Sequence, residues 1–327
     1  MKICVIGAGA MGSTFGGLLA RAGHDVTLVD TWASHVEAIR AHGLNLQGVL
    51  GDLNIRVRAE TAVPEGLKAE VAMIWVDSNH TGEAARAAAA ALSPDGFAIT
   101  LQNGIGNVET LIEVLGEGRV AGGSSMASAA MRGPGEPTLT HMGKSSIGEL
   151  DGRASARMER LRAALAGAGF DAGVHADIRS VIWTKFALNC SINALCAASG
   201  LRLGELARLP AMDRLQDRVI DEILAVTAAK GITLEYPDFR ATVKAHCWKK
   251  FSRPSMLQHI EAGRRSEIGA LNARLVEEGA LLGIATPYND AVTCLLRGVE
   301  HKRGEAAARS EADYAVLEQE AGAWPGR

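Results

Sequence analysis

The chain reads as an α/β protein, with a Rossmann-type doubly wound parallel sheet followed by an all-helical C-terminal domain. Three observations carry that expectation. Short, nearly continuous apolar runs, KICVIG (2–7), DVTLVD (25–30), VAMIWV (71–76) and FAITLQ (97–102), recur through the first half. Strands buried on both faces of a parallel sheet have this composition. Stretches of helical composition separate the runs, and strand–helix–strand alternation is the pattern of a doubly wound sheet. After about Phe170 the pattern changes: from Ile178 to Lys302 it is long and helical. A length of 327 residues supports two domains at ~150 residues each, and the boundary is expected near residue 176, giving domains 1–176 and 177–327.

Taken in order, Met11–Ala22 and the Ala-rich Thr81–Leu92 are expected to be the first connecting helices. Leu44–Ala59 alternates, with glycines at 48 and 51, and reads as a hairpin or an irregular excursion. The last stretch, Gly304–Arg327, is rich in Ala and Glu and reads as a terminal helix or a frayed tail. No internal repeat is present.

Composition narrows the class. Lys plus Arg is 34 and Asp plus Glu is 37, a formal charge of −3. This balance exerts no long-range pull on phosphate backbones or anionic lipid, so neither nucleic acid nor a membrane surface is expected as a partner. With 47% hydrophobic and 22% charged residues the chain can build a core. The 37 glycines are an excess without periodicity, which excludes collagen-like and linker sequences. Cys4, Cys190, Cys196, Cys247 and Cys294 form no CxxC pair, suggesting a reducing compartment and thiols that act as small hydrophobes. The segment from Lys2 through ICVIGAGAMG mimics a signal peptide, but Gly7, Gly9, Gly12, Gly16 and Gly17 would break its apolar helix. A soluble cytoplasmic protein is expected.

Gly7-Ala-Gly9-Ala10-Met11-Gly12 is a GxGxxG motif directly after an apolar strand and at the opening of a helix. Gly7 permits the tight turn, Gly9 lets a pyrophosphate approach the backbone, and Gly12 lets helix and strand pack closely. The phosphates would rest on N–H groups of the helix start, at Ala10 and Met11, where the dipole favours negative charge. Asp30 ends the second strand 18 residues after Gly12, where an acid receives the adenosine ribose diol. Dinucleotide binding is therefore expected of residues 1–176. A carboxylate at this place repels a 2′-phosphate, Thr31 and Trp32 supply no cation, and Asp77 adds a second negative charge after the VAMIWV strand. NAD(H) is favoured over NADP(H) on charge.

In the helical half, Trp183-Thr-Lys185-Phe-Ala-Leu-Asn189-Cys-Ser-Ile-Asn193 puts Lys185, Asn189 and Asn193 at i, i+4 and i+8, on one helix face. Ile182, Phe186, Leu188, Ile192 and Leu195 surround them. Polar groups in such surroundings need partners, which a cleft between domains would supply. A partly desolvated Lys can serve as a general acid. Pro254-Ser255-Met256-Leu257-Gln258 leads into a helix expected to carry Gly263-Arg264-Arg265-Ser266-Glu267-Ile268, and Gly283–Asn289 stops and restarts a helix.

Together with Gln102-Asn103-Gly104 after the FAITLQ run, these segments resemble the ketopantoate reductase (2-dehydropantoate 2-reductase) family, over Met1 to roughly Lys302. The resemblance implies a Rossmann domain, a helical C-terminal domain and an active site in the cleft between them. It places Lys185 on the general acid that protonates the developing alkoxide as hydride reaches C2 of a 2-oxo acid. Asn189 falls on a substrate-contacting amide, Ser255 on a hydroxyl that holds the substrate, and Glu267 on an acid that contacts substrate and supports the lysine. Asn103 falls near both nicotinamide ribose and substrate, and Asn193 on a positioning amide.

The departures concern cofactor and substrate. Members that use NADP carry a basic residue where this chain has Asp30, and often a Lys in a VK…T motif where it has Val76-Asp77…Thr81. A further substrate-binding Asn falls near Leu203, and the family's Q-D and E-I-D segments read Gln258-His259 and Glu267-Ile268-Gly269. These differences leave three expectations open: reduction of 2-dehydropantoate, an NAD-dependent D-2-hydroxyacid dehydrogenase acting on another acid, or a non-catalytic dinucleotide sensor. His246-Cys247 and His259 lack a second pair at metal-ligand spacing, so no metal is expected. Cys190 reads as core, Trp248-Lys249-Lys250 with Arg253 as solvated surface, and a homodimer is one open assembly.

Overall fold

The computed structural model describes residues 1–308, so the tail beyond Ala308 lies outside the described residues. The chain forms two compact units. The first comprises Met1–Leu188 and Leu224–Phe239, and the second Asn189–Ile223 with the chain from Arg240 onward.

The first unit contains β1 (Lys2–Ile6), α1 (Ala10–Arg21), β2 (Asp25–Val29), α2 (Ala33–His42), β3 (Leu44–Gly48), β4 (Leu53–Ile55), β5 (Arg58–Glu60), β6 (Ala69–Ile74), α3 (Thr81–Ala91), β7 (Leu92–Thr100), α4 (Asn107–Leu115), β8 (Val120–Ser125), β9 (Ser128–Gly133), β10 (Glu136–His141), β11 (Ser145–Glu149), α5 (Ala156–Gly167) and β12 (Ala172–Val174). The main sheet has the order β12-β11-β8-β7-β6-β1-β2-β5. From β8 to β5 neighbouring strands are parallel, and β11 runs antiparallel to β8, so the sheet is mixed at one edge.

Alternation along β1 shows why the apolar runs are continuous. Ile3 and Val5 join one core with Phe15, Leu18 and Leu19 of α1 and Met158, Leu161 and Leu165 of α5. Cys4 and Ile6 join another with Ala84, Ala85 and Ala88 of α3 and Leu111 of α4. Both faces are covered by helices, and a strand between them has no solvent-facing position to make polar. Phe15 stacks on Phe170 with ring centroids 4.0 Å apart and leans on Trp75 at 4.6 Å. Its truncation to Ala would cost about 3–5 kcal/mol.

Leu44–Ala59 resolves into an antiparallel β3–β4 hairpin followed by β5, which joins the main sheet beside β2. The hairpin belongs to a second sheet, β4-β3-β10-β9. Its Leu44, Leu46 and Leu139 pack into the α1 core, so α1 is covered on both sides. The strands from 120 to 174 have no counterpart in the periodicity reading. VAGGSS of β8 is buried throughout yet carries only one β-branched apolar residue.

The helices that follow are α6 (Ile178–Ser199), α7 (Leu203–Arg208), α8 (Pro210–Ala229), α9 (Phe239–Lys249), α10 (Ser255–Glu261), α11 (Asn272–Leu281) and α12 (Pro287–Ala308). α6 has the length and composition of a membrane span, but most of it is buried in the fold, as in a core helix. In the second unit, Val219, Ile220, Ile223, Val243, Leu275, Val292 and Leu296 are buried. Gly283 ends one helix and Pro287 opens the next, as expected. There the Glu222 carboxylate accepts the N–H groups of Tyr288 and Asn289 at 2.8 and 2.9 Å.

The helix expected to carry 263–268 ends before that segment. Gly263 takes φ +66°, and its N–H reaches Ile260 O while Arg264 N–H reaches His259 O at 2.8 Å. These paired bonds close the helix in a Schellman turn. Ser266 and Glu267 therefore sit on an irregular segment that leads into a single 3-10 turn, Ile268–Ala270.

Candidate active site

The first unit collects its candidate residues at the carboxyl ends of the parallel strands, where open α/β sheets bind ligands. After β1, Gly7 takes φ +88°, and a Cβ there would stand 2.7 Å from Val76 N. A Cβ on Gly12 would be driven into the Gly7 carbonyl oxygen. Both positions demand glycine, one for the turn and one for the close approach of α1. Gly9 differs: a Cβ would meet nothing within 4 Å. The space beside it is open, at the N-cap of a helix that has no side-chain cap. The first bond of that helix runs from Ser13 N–H to Gly9 O, so the N–H groups of Ala10, Met11 and Gly12 lie ahead of it. A backbone cradle for an anion has this form.

Asp30 follows β2. Its N–H donates to Glu60 O, and its Oδ1 accepts the Trp32 N–H at 2.9 Å, which fixes the carboxylate at the strand end. The Trp32 indole lies over the His35 imidazole, with centroids 5.1 Å apart and planes 12° from parallel. His35 is fully buried. Its Nδ1 accepts the Gly135 N–H at 2.9 Å, so Nε2 carries the proton and faces Ser13 Oγ at 3.1 Å. Ser13 in turn donates to Ala8 O, inside the glycine turn, at 2.5 Å. Burial pushes the His35 pKa below its ordinary value, against the nearby Asp30 charge and the Ala8 carbonyl.

After β7, the Gln102 amide donates to Val76 O at 2.7 Å and its oxygen accepts from Thr100. This ties the 102–104 turn to the end of β6. The Asn103 carbonyl receives Ser78 Oγ and Asn107 Nδ2, which fixes the backbone that carries the Asn103 side chain. Asp77 caps the short turn at Ser78–His80 through the Asn79 N–H.

Lys185 sits half-buried on α6, and its Nζ donates to the carbonyl of Ser125, at the end of β8, over 2.5 Å. Ser125 is itself held: its Oγ pairs with Ser145 Oγ at 3.0 Å and receives the Ala127 N–H. The first half of α6 is braced from within the same unit. Ser180 donates to Thr233 O, the Glu235 N–H donates to Thr184 Oγ1, and Lys230 lies over the Trp183 ring. The carbonyl acceptor fixes the direction of the Nζ group. The lysine ammonium is thus held at the carboxyl end of β8, the same end of the sheet at which the glycine turn follows β1.

The remaining candidates belong to the second unit. Asn189 and Asn193 continue the Lys185 face of α6, half-buried and buried respectively. Between them, the Cys190 carbonyl accepts Asn272 Nδ2 at 3.0 Å, and Asn272 also donates to the buried Asn289. Ser255 opens α10 and is exposed. Glu267 directly precedes the 3-10 turn without a side-chain capping bond, next to Ser266, whose N–H is held by Glu300 at 2.6 Å. Sequence reasoning missed Ser13, His35 and Ser125. A Ser directly after the last glycine of the motif was the only available signal for the first pair, and a backbone carbonyl gives none.

These features are those of a Rossmann-type α/β protein with a backbone anion cradle after its first strand. The family model described as ketopantoate reductase PanE/ApbA matches residues 3–152, and that for its C-terminal part matches residues 177–300. The chain belongs to the ketopantoate reductase family. It is 31% identical to 2-dehydropantoate 2-reductase of Pyrococcus horikoshii, over 93% of this chain and 99% of that one. Among solved structures, a PanE/ApbA family ketopantoate reductase from Ralstonia eutropha JMP134 has a TM-score of 0.85 at 33% identity, over 93% of this chain and 99% of that one. D-mandelate dehydrogenase with NADH and anilino(oxo)acetate has a TM-score of 0.85 at 27% identity, with the same coverage.

Proposed function

We propose that this protein reduces a 2-oxo acid to the 2-hydroxy acid, with 2-dehydropantoate as the leading substrate and NADH preferred to NADPH. The observation that carries the reading is the Lys185 ammonium fixed on the Ser125 carbonyl at the carboxyl end of the sheet, where the glycine turn also follows β1. Gly7, Gly9, Ala10, Met11, Gly12 and Asp30 would hold the dinucleotide, and the open space beside Gly9 fits a pyrophosphate. Bound there, the reduced cofactor supplies a hydride to C2 of the substrate.

The chain's own residues supply the rest. Hydride addition turns the C2 carbonyl into an alkoxide. Lys185 stabilises the growing negative charge and then transfers one proton to that oxygen, to be reprotonated from solvent. Asn103, Asn189, Asn193 and Ser255 hold the substrate, and Glu267 contacts it and supports the charged lysine. These assignments rest on the family's roles at matching positions.

Asp30 supports NADH, since a fixed carboxylate accepts the 2′-hydroxyl and repels a 2′-phosphate. A second reading, an NADH-dependent dehydrogenase of another D-2-hydroxy acid, draws support from Asp30 together with the D-mandelate dehydrogenase neighbour, which was solved with NADH. Oxidation of NADH and NADPH across a panel of 2-oxo acids that includes 2-dehydropantoate and phenylglyoxylate decides between them. Turnover of 2-dehydropantoate above all others supports the first reading, and turnover of an aromatic 2-oxo acid the second.

A further inference from the structure

Trp32 is exposed over 41% of its surface, at the strand edge where the dinucleotide is proposed to lie. Its placement is determined on two sides. The Asp30 carboxylate receives its N–H, which folds 30–32 into a tight turn beside the acid. One face of its ring lies on His35, and that imidazole is locked by Gly135 and Ser13 within the buried interior. The result is a rigid aromatic plate with one face supported from inside the protein and the other turned outward.

We propose that the outward face of Trp32 is the platform on which the adenine base of the dinucleotide stacks. The proposal rests on the dinucleotide reading above and adds the group that recognises the base. Asp30 would receive the ribose hydroxyls, and the base leaves that same sugar ring. The Cα atoms of Asp30 and Trp32, two positions apart, lie within ~7 Å of each other. A plate already ordered by His35 and by the 30–32 turn loses little freedom when a base settles on it, so the stacking energy is retained as affinity. The same His35 that supports the plate also reaches the glycine turn through Ser13 and Ala8. One buried side chain would thus set the relative height of the base platform and the phosphate cradle.

Dissociation constants measured by titration calorimetry for the wild type, Trp32→Ala and Trp32→Phe test this, with NADH, AMP and reduced nicotinamide mononucleotide as probes. Trp32→Ala is expected to weaken NADH and AMP about tenfold. Trp32→Phe should bind both nearly as the wild type does, and the mononucleotide, which lacks adenine, should bind all three proteins equally. Unchanged AMP and NADH binding in Trp32→Ala would overturn the proposal. So would an equal loss for the mononucleotide, because that would mean a general distortion of the site. A wild type that binds neither NADH nor NADPH would overturn the dinucleotide reading itself, an outcome distinct from both.

Discussion

His35 donates from Nε2 to Ser13 Oγ over 3.1 Å, and through that hydroxyl supports the Ala8 carbonyl within the glycine turn. Two residues 22 positions apart, on α2 and α1, therefore fix the loop that precedes the anion cradle. Its neutrality is what the arrangement requires, since Nδ1 must accept the Gly135 N–H.

Burial holds the folded-state His35 below its ordinary pKa of 6.5, opposed by Asp30 and the Ala8 carbonyl. The unfolded chain takes up this proton first as pH falls. The contribution of His35 to stability is thus complete above about 6.5 and is lost through the window between 6.5 and the lower folded value. His35→Gln should flatten the fall in melting temperature between pH 7 and pH 5. His35→Phe should cost about 1–3 kcal/mol at pH 7, because Ser13 and the Gly135 N–H lose a partner. Thermal melts across pH check both, and an unchanged pH slope in His35→Gln would contradict the account.

The glycines of the turn should separate fold from ligand. Gly12→Ala forces a methyl group into the Gly7 carbonyl and should lower stability by about 1–3 kcal/mol or more. Gly9→Ala meets open space and should melt within a degree or two of wild type while binding NADH at least tenfold more weakly. Calorimetry of both variants distinguishes the roles. Normal NADH affinity in Gly9→Ala would place the pyrophosphate elsewhere.

Replacing Asp30 with Arg should invert the cofactor preference. The change removes the carboxylate that accepts the 2′-hydroxyl and supplies a bidentate partner for a 2′-phosphate. The ratio of kcat/KM for NADH to that for NADPH should fall by about two orders of magnitude. A wild type that already prefers NADPH would show that Asp30 and Asp77 do not decide the choice.

Thiol chemistry offers a test of packing in both units. Burial pushes Cys4 and Cys196 up to about 12 and Cys190 and Cys247 in the same direction, whereas Cys294 is exposed. A disulfide reagent at pH 8 should modify one thiol per native chain rapidly and all five only on unfolding.

The parts of this site that were readable in the sequence are those whose constraint is local. Gly7, Gly9 and Gly12 announce themselves because a turn, a ligand gap and a helix crossing fall within six residues, and Asp30 is legible from its strand. The spacing of Lys185, Asn189 and Asn193 on one helix follows from the 3.6-residue period. Ser125 was not legible, because its contribution is a carbonyl that any residue would carry. His35 was not legible either, since the tautomer with Nδ1 as acceptor depends on the N–H of Gly135, 100 residues away. The end of α10 at Gly263 was lost for another reason: the segment after it retains helical composition, and only the left-handed glycine stops it. β8 and β11 escaped because their Gly and Ser residues, buried throughout, leave no hydrophobic period to read.

The central claim is that Lys185 delivers the proton. Single-turnover oxidation of bound NADH by the preferred 2-oxo acid, in Lys185→Ala against wild type, tests it most directly, with NADH affinity measured alongside. The expected result is a rate lower by about 10²–10⁴ with the NADH dissociation constant unchanged. A wild-type rate in Lys185→Ala would contradict the claim.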